Sequence, residues 1–239
     1  DTKLIAHVLE EIHPKPSLYP NGSQGLVEAL ATWSDTTFFE PGAGLSMGLN
    51  SDIPEPVLED RKAFFEFMDF DELESAVPHL YGQFLAQVEL LERQLQDGRP
   101  FVLGSDISGA DILFYFPLWM ATGNFPQVAG WLTDFKQVQR WQKTMQGVGH
   151  GDVTDMNAQD ALDIASASDP RAGSGVLRNP GNLVENQEVT VTPTDYGSVP
   201  VQGKLIGLNH NRVTIRRQDS RVGWVNVHFP RTGYQVEPA

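Results

Sequence analysis

Apolar residues recur at intervals of three and four over most of the chain, which is the spacing of one face of an α-helix. The clearest stretch runs from about residue 75 to residue 97 and stops at Gly98 and Pro100, residue types that commonly follow a helix end. Its predicted apolar face comprises Leu80, Tyr81, Phe84, Leu85, Val88, Leu91 and Leu95. The same spacing predicts helices over 3–12, 57–69, 128–147 and 156–168, one from near Ser108, and one after a Ser23 cap with Leu26, Leu30, Trp33 and Thr37 on its apolar face.

Two segments rich in proline and glycine interrupt the helical pattern. Residues 13–23 contain Pro14, Pro16 and Pro20, and a proline removes a hydrogen-bond donor and holds the residue before it extended. We therefore predict a linker there. Residues 41–56 read PGAGLSMGLNSDIPEP, and their glycines and prolines predict a loop.

The last part of the chain changes to short runs rich in β-branched and aromatic residues. VTVTP, PVQGKLIGL, RVTIRR, GWVNVHF and YQV follow one another after residue 186, and they predict five antiparallel strands. Because five short strands bury little apolar surface as an open sheet, we expect the sheet to close into a small barrel. The predicted fold class is mainly α, with a helical bundle over 21–168, a linker over 169–186 and a small antiparallel β-barrel-like domain over 187–239.

The distribution of charge supports this division. The chain has a net charge of −14, but residues 186–239 contain six basic and four acidic residues, so the rest carries −16. An acidic body of this size repels nucleic acid and anionic membranes. The β domain does interleave arginines with aromatic residues, as single-stranded nucleic-acid barrels do, at Arg216, Arg217, Arg221, Trp224, His228, Phe229, Arg231 and Tyr234.

A simpler interpretation of this arginine-rich stretch is that its apolar residues form the core of the β domain while the arginines face water. The predicted core residues are Val213, Ile215, Val225, Val227 and Phe229. We therefore predict neither a nucleic-acid partner nor a membrane partner, and we favour a β domain that contacts protein.

The residue types exclude several kinds of site. The chain has no cysteine, so these residues form no disulfide, thiolate metal site or cysteine nucleophile. The six histidines lack the spacing of a metal-binding helix, and no P-loop, GxSxG or dinucleotide-binding glycine motif occurs. No run approaches the roughly 18 apolar residues of a membrane span, and the start lacks the blocks of an export signal. We therefore expect a cytoplasmic protein without a metal.

The stretch DGRPFVLGSDISGADILFYFPLW carries the most specific local signal. Ser108 is placed to cap a helix, and Asp111, three residues later, can reach back to the backbone of Ser108. Asp111 also lies where the helix dipole favours a negative charge. Taken alone, this capping box predicts only where a helix begins.

This stretch, preceded by an amphipathic helix, resembles the C-terminal all-α domain of the cytosolic glutathione transferases. The start of the chain resembles the end of that family's thioredoxin-like domain and the linker after it, through Asp1, Thr2, Ile5, Leu9 and Leu18-Tyr19-Pro20. The resemblance covers about residues 1–168 and implies that residues 1–20 are the end of a thioredoxin-like domain and its linker. It does not extend to the β domain.

The resemblance implies roles for several residues. Ser108 and Asp111 are expected to be structural caps, and Asp1 and Thr2 are expected to hold the γ-glutamyl group of glutathione, although Asp1 can equally be the N-cap of the first helix. Trp33, Phe38 and Phe39 are candidates for the hydrophobic-substrate side of the cleft, with core packing as the alternative. Trp119, Trp131 and Trp141 are most simply core residues.

The resemblance also implies a function. The full-length protein is expected to bind glutathione as co-substrate and to transfer its thiol to a small hydrophobic electrophile or a disulfide, with the thiol-activating residue outside this chain and no catalytic residue within it. A homodimer is one assembly that the family allows. The alternative is a non-catalytic protein of the same fold that binds or scaffolds, with the β domain making protein contacts.

Overall fold

The computed structural model of the chain describes residues 1–50, 52–123 and 126–239. Two compact units are present: a helical unit over residues 6–151, and a β unit that combines residues 1–5 with residues 152–239. The predicted order of a mainly helical chain followed by a sheet is confirmed. Residues 152–168, which the sequence pattern assigned to the helical domain, group with the β unit.

The helices follow the predicted order, with shifted ends. In the described residues they are α1 (Thr2–Ile12), α2 (Gln24–Trp33), α3 (Phe39–Gly48), α4 (Glu55–Phe64), α5 (Leu73–Gln94), α6 (Gly109–Thr122), α7 (Lys136–Gln146) and α8 (Ala158–Ala167). A π-helical turn, Ser34–Phe38, joins α2 to α3, and short 3₁₀ turns lie at Pro20–Gly22 and Pro126–Leu132. The predicted linker after α1 contains no α-helix before α2.

Helix α3 occupies part of the segment that was predicted to be a loop. The prediction was wrong because the small residues of this segment serve close packing: a Cβ on Gly44 would lie 2.7 Å from Leu80 Cδ1, and one on Gly42 would lie 3.2 Å from the Pro117 carbonyl oxygen. Pro41 closely follows the π-helical turn Ser34–Phe38, where the regular α-helical hydrogen bonds that a proline would interrupt are already displaced. Burial between α5 and α6 offsets the poor helix propensity. Ser51 lies outside the described residues.

The buried face of α2 differs by one position from the predicted one. The residues that face the core along α2 and the π-helical turn are Val27, Ala31, Ser34 and Phe38, whereas Leu26 is 53% exposed. The prediction followed the largest side chains, but the small Ser34 faces α6 and donates its hydroxyl to the Leu113 carbonyl oxygen. Ser23 precedes α2 but its side chain makes no capping hydrogen bond.

The core of the helical unit gathers around three phenylalanines and a tryptophan. Phe38, Phe84, Phe114 and Trp141 are each at most 1% exposed. The predicted apolar face of α5 supplies the buried residues Phe84, Val88, Leu91 and Leu95, which confirms that prediction.

The β unit contains one sheet of six strands. These are β1 (Gly175–Val176), β2 (Glu188–Pro193), β3 (Val201–Leu208), β4 (Arg212–Asp219), β5 (Gly223–Pro230) and β6 (Tyr234–Pro238), in the order β5-β4-β3-β2-β6. Neighbouring strands in this order, β2 to β6, pair antiparallel. Strand β1 lies outside the order and pairs parallel with β3 through Gly175 and Gly207.

The predicted closed barrel is wrong, because the sheet is open. Strands β5 and β6 are the two ends of the strand order in the described sheet. The segment predicted to be a linker covers apolar side chains of the open sheet. Its Leu183 is 8% exposed and belongs to the core of the sheet, and its Val176 packs against the same core. An open sheet can therefore bury Val189, Val191, Leu205, Val213 and Ile215 completely.

Candidate functional site

The capping residues of α6 form hydrogen bonds with each other and with neighbouring parts of the helical unit. Asp111 Oδ2 accepts hydrogen bonds from the Ser108 N–H at 2.9 Å and from the Ser108 hydroxyl at 2.8 Å. Asp111 Oδ1 accepts from the Val102 N–H at 2.8 Å and from Trp141 Nε1–H at 2.9 Å. The carboxylate is fully buried. Four donors to one buried carboxylate make a structural anchor.

Asp1 and Thr2 begin α1. Asp1 Oδ1 accepts the backbone N–H groups of Lys3 at 2.8 Å and Leu4 at 3.2 Å, which is the geometry of an N-cap. Its second oxygen lies 3.3 Å from the Tyr234 hydroxyl. These hydrogen bonds fit the N-cap interpretation. Both Asp1 and Thr2 are exposed, and their contact with glutathione remains a prediction.

The three aromatic candidates of the substrate side have different environments. Phe38 has no exposed surface and packs 5.4 Å from the Phe84 ring centre, so it is a core residue and the substrate role does not fit it. Trp33 lies edge-on to Phe114 at 4.7 Å and donates Nε1–H to Gln87 Oε1 at 2.9 Å, which ties it to the core as well. Phe39 is partly exposed.

Phe39 belongs to a chain of aromatic contacts on the surface of the helical unit. Its ring lies 6.1 Å from Phe116, with a 12° angle between the planes, and 5.9 Å from Phe65. Phe116 in turn lies 6.5 Å from Trp119, and Phe65 contacts Phe64 at 5.0 Å and Phe67 at 5.4 Å. We call these residues the aromatic patch: Phe39, Phe64, Phe65, Phe67, Phe116 and Trp119.

Most of the aromatic patch is open to solvent. Phe116 is 48% exposed and Trp119 is 43% exposed, while Phe65 is buried and anchors the patch. The prediction that Trp119 is a core residue is therefore wrong, whereas Trp141 is fully buried and Trp131 packs 4.0 Å from Tyr81. The signal that could have revealed the patch is the spacing of Phe116 and Trp119, which follows one face of α6.

A cavity of about 440 Å³ lies beside the aromatic patch and shares Phe67 with it. It is formed by the π-helical turn and α3 on one side, the first turns of α5 on the other, and the segment between α4 and α5. Its lining residues are Thr36, Thr37, Glu40, Pro41, Gly44, Phe67, Met68, Asp69, Glu72, Leu73, Ala76, His79, Leu80 and Gln83.

In the β unit, the arginine-rich stretch follows the simpler interpretation in part, because the predicted core residues Val225 and Val227 are only partly buried. Val213 and Ile215 are fully buried, Phe229 is 8% exposed, and Arg216 and Arg217 face solvent. The Arg216 guanidinium lies 5.0 Å from the Trp224 ring centre. Burial, followed by the charges of Arg212 and Arg171, lowers the pKa of His228.

The family described as "Glutathione S-transferase, C-terminal domain" matches residues 61–142, which run from α4 through α7. This part of the chain is therefore similar to a glutathione S-transferase C-terminal domain. The whole chain is also similar to the crystal structure of a GST-like protein from Pseudomonas syringae, with 28% identity and a TM-score of 0.79 over 100% of this chain and 77% of that one. A comparison with curated proteins gave no significant match.

The residues that match the glutathione S-transferase C-terminal domain contain most of the aromatic patch, and Phe39 joins it from α3. The similarity to the Pseudomonas syringae protein spans the β unit too, although the β unit was not recognised from sequence. Among the described residues no group of three histidine, cysteine or acidic side chains could hold a metal ion. No helix in the described ranges is long and apolar enough to cross a membrane.

Proposed function

We propose that the full-length protein is a glutathione transferase to which this chain contributes the hydrophobic-substrate side of the cleft. The aromatic patch on a glutathione S-transferase C-terminal domain is the observation that carries the proposal. Exposed aromatic side chains are costly to hydrate, and four members of the patch are 39–48% exposed. A flat apolar molecule that covers these rings would remove them from water, and the burial of apolar surface would favour its binding.

The arrangement of the rings favours aromatic or otherwise flat second substrates. The rings of Phe39 and Phe116 are within 12° of parallel, and those of Phe116 and Trp119 within 26°. A third ring can stack against such faces, and an aromatic contact of this kind contributes about 0.5–1.5 kcal/mol beyond burial. Phe116 and Trp119 are the residues on which substrate affinity should depend most.

The proposal assigns glutathione to the start of α1. Asp1 supplies a carboxylate for the γ-glutamyl ammonium, and Thr2 supplies a hydroxyl beside a helix N-terminus for the α-carboxylate. The thiol-activating residue lies outside these 239 residues in this scheme. The thiolate sulfur then forms a bond to the electrophilic carbon while the leaving group departs with its electron pair, or attacks a disulfide and releases one thiolate.

Retention of the full-length protein on glutathione-agarose and conjugation of 1-chloro-2,4-dinitrobenzene test the proposal. We expect both, and we expect Phe116→Ala and Trp119→Ala to raise KM for the aromatic electrophile by about five- to tenfold each with KM for glutathione unchanged. Trp224→Ala, which removes an exposed tryptophan from the β unit, is the matched control. Absence of glutathione binding would contradict the proposal.

The second candidate is a non-catalytic binding or scaffolding protein. The observation in its favour is that the β unit also exposes apolar side chains, with Val199 70% and Trp224 48% exposed, and exposed apolar surface is typical of protein contacts. Glutathione retention without turnover of electrophiles or disulfides would favour this candidate. In either case a homodimer and a cytoplasmic location remain our expectations.

A further inference from the structure

The cavity beside the aromatic patch combines an apolar floor with an acidic rim. We propose that it binds a small organic cation with an apolar body, such as a quaternary or alkyl ammonium compound. This inference goes beyond the proposed function, because binding there requires neither glutathione nor turnover.

The size and floor of the cavity fit a small organic molecule. A volume of about 440 Å³ lies within the usual range of ligand pockets. Leu73, Ala76 and Leu80 contribute one wall from α5, and Pro41 and Gly44 contribute the facing wall from α3. An apolar body placed between these walls would leave water, which is the main driving force for binding.

The acidic residues at the rim of the cavity favour a ligand with a positive charge. Glu40 lines the cavity from α3, and Asp69 and Glu72 line it from the segment between α4 and α5. The described lining also contains His79 but neither lysine nor arginine. The two basic residues at the end of α4, Arg61 and Lys62, form ion pairs with Asp60 and Glu59. A cation is therefore favoured over a neutral or anionic molecule of the same shape.

Two observations favour an organic cation over a metal ion. The carboxylates line the cavity without forming, in the described part of the chain, a group of three side chains that could hold a metal. Phe67 also lines the cavity, and an aromatic face attracts an ammonium group that has little hydration to lose. The apolar walls provide nothing that a hydrated metal ion needs.

The charge of the whole helical unit acts in the same direction. Residues 6–151 contain 20 acidic and 8 basic residues. Such an excess raises the local concentration of cations, and a cleft lined by one sign of charge focuses the effect. The preference for a cation should weaken with added salt, because salt screens exposed charges.

A titration of the full chain with a matched pair of probes tests the proposal. Benzyltrimethylammonium and its neutral carbon isostere, 2,2-dimethyl-1-phenylpropane, differ only in charge, and ligand-observed NMR gives the affinity of each. We expect the cation to bind about tenfold more tightly at low salt. Equal affinity for both probes would overturn the proposal, as would displacement of the cation by magnesium ion alone at equal concentration.

Variants locate the binding site. Glu40→Gln, Asp69→Asn and Glu72→Gln should each weaken binding of the cation by about two- to fivefold and leave the neutral probe unaffected. Glu74→Gln removes the same charge from an exposed position of α5 that does not line the cavity, and it should change the affinity by less than about twofold. A loss as large in Glu74→Gln as in the rim variants would overturn the assignment.

A second pair of variants tests the cavity itself. Ala76→Phe fills the cavity from α5 and should abolish binding, whereas Ala86→Phe places the same side chain on an exposed position of α5 and should not. Circular dichroism melts show that each variant is folded. Full binding of the cation by a folded Ala76→Phe variant would overturn the proposal. That result would not bear on the proposed function, which the glutathione assays test separately.

Discussion

Asp111 joins three parts of the helical unit through one carboxylate. Its donors are the Val102 N–H in the loop before α6, Ser108 at the start of α6, and Trp141 Nε1–H on α7. Asp111→Ala leaves these buried donors without an acceptor, and we expect the free energy of unfolding to fall by about 3–5 kcal/mol. Ser108→Ala removes one hydroxyl and should lower it by about 1–2 kcal/mol. Urea denaturation measures both, and equal losses would contradict this ranking.

Ser34 compensates for a proline in the middle of α6. Pro117 has no N–H to donate to the Leu113 carbonyl one turn earlier, and the Ser34 hydroxyl donates to that oxygen instead at 2.8 Å. Ser34→Ala should therefore lower the free energy of unfolding by about 1–3 kcal/mol, since it leaves a buried carbonyl unpaired. The loss should be smaller in a Pro117→Ala background, where residue 117 can donate again. A double-mutant cycle with no coupling would contradict the explanation.

At the scale of single residues, sequence reveals partners that are close along the chain. Ser108 and Asp111 are three residues apart, and their pairing could be predicted. The bond from Trp141 crosses 30 residues and could not. Phe38 and Phe39 show a second limit, because neighbouring residues of the same type point in directions about 100° apart on a helix, and nothing local tells which one enters the core.

Helix α3 depends on glycine at the points where it touches its neighbours. A Cβ at residue 44 would meet Leu80 Cδ1 at 2.7 Å, whereas a Cβ at Gly82 of α5 would have nothing within 4 Å. Alanine favours a helix over glycine by about 1 kcal/mol, so Gly82→Ala should raise the free energy of unfolding by about 0.5–1 kcal/mol. Gly44→Ala should lower it by about 1 kcal/mol because Leu80 must move. Chemical denaturation compares the pair, and a gain from both would contradict the close packing of α3.

At the scale of elements, periodicity predicts those that present a wide apolar face to one core. Helix α5 is such an element, and it was placed correctly apart from its ends. Helix α3 is covered on both sides, and its small buried residues, including Gly42, Ala43 and Gly44, give the local pattern of a loop. The open sheet was not predicted for a similar reason. Leu183 packs against its core from a segment whose sequence has no helical or strand periodicity.

For the whole molecule, the two compact units differ in charge. The helical unit contains 20 acidic and 8 basic residues, and the β unit contains 11 and 9. The helical unit ends at residue 151, whereas the sequence pattern extends the helical domain to residue 168. Helix α8 has no buried residue, so its amphipathic pattern did not reveal which unit it belongs to.

The excess of negative charge also predicts how the stability of the chain responds to salt. The ion pairs that salt would weaken, such as Arg93 with Glu89 and Lys62 with Glu59, are on the surface, where they contribute little. Repulsion among the many remaining carboxylates acts over the whole helical unit and is screened within about 10 Å at 0.1 M salt. Repulsion is therefore the larger effect, and the Tm should rise by a few degrees, on the order of 1 kcal/mol of stability, as sodium chloride increases.

Thermal melts at low and moderate concentrations of sodium chloride measure this response, and sucrose of equal osmolality serves as the uncharged control. The rise should be concentrated in the first part of the titration, because screening grows with the square root of ionic strength and is nearly complete once the Debye length falls below the spacing of the charges. A variant with Asp52 and Glu66, both exposed and outside the helices, changed to asparagine and glutamine should show a higher Tm at low salt and a smaller rise. A Tm that falls with added salt would mean that the surface ion pairs outweigh the repulsion, and the acidic surface would then have no cost for the fold.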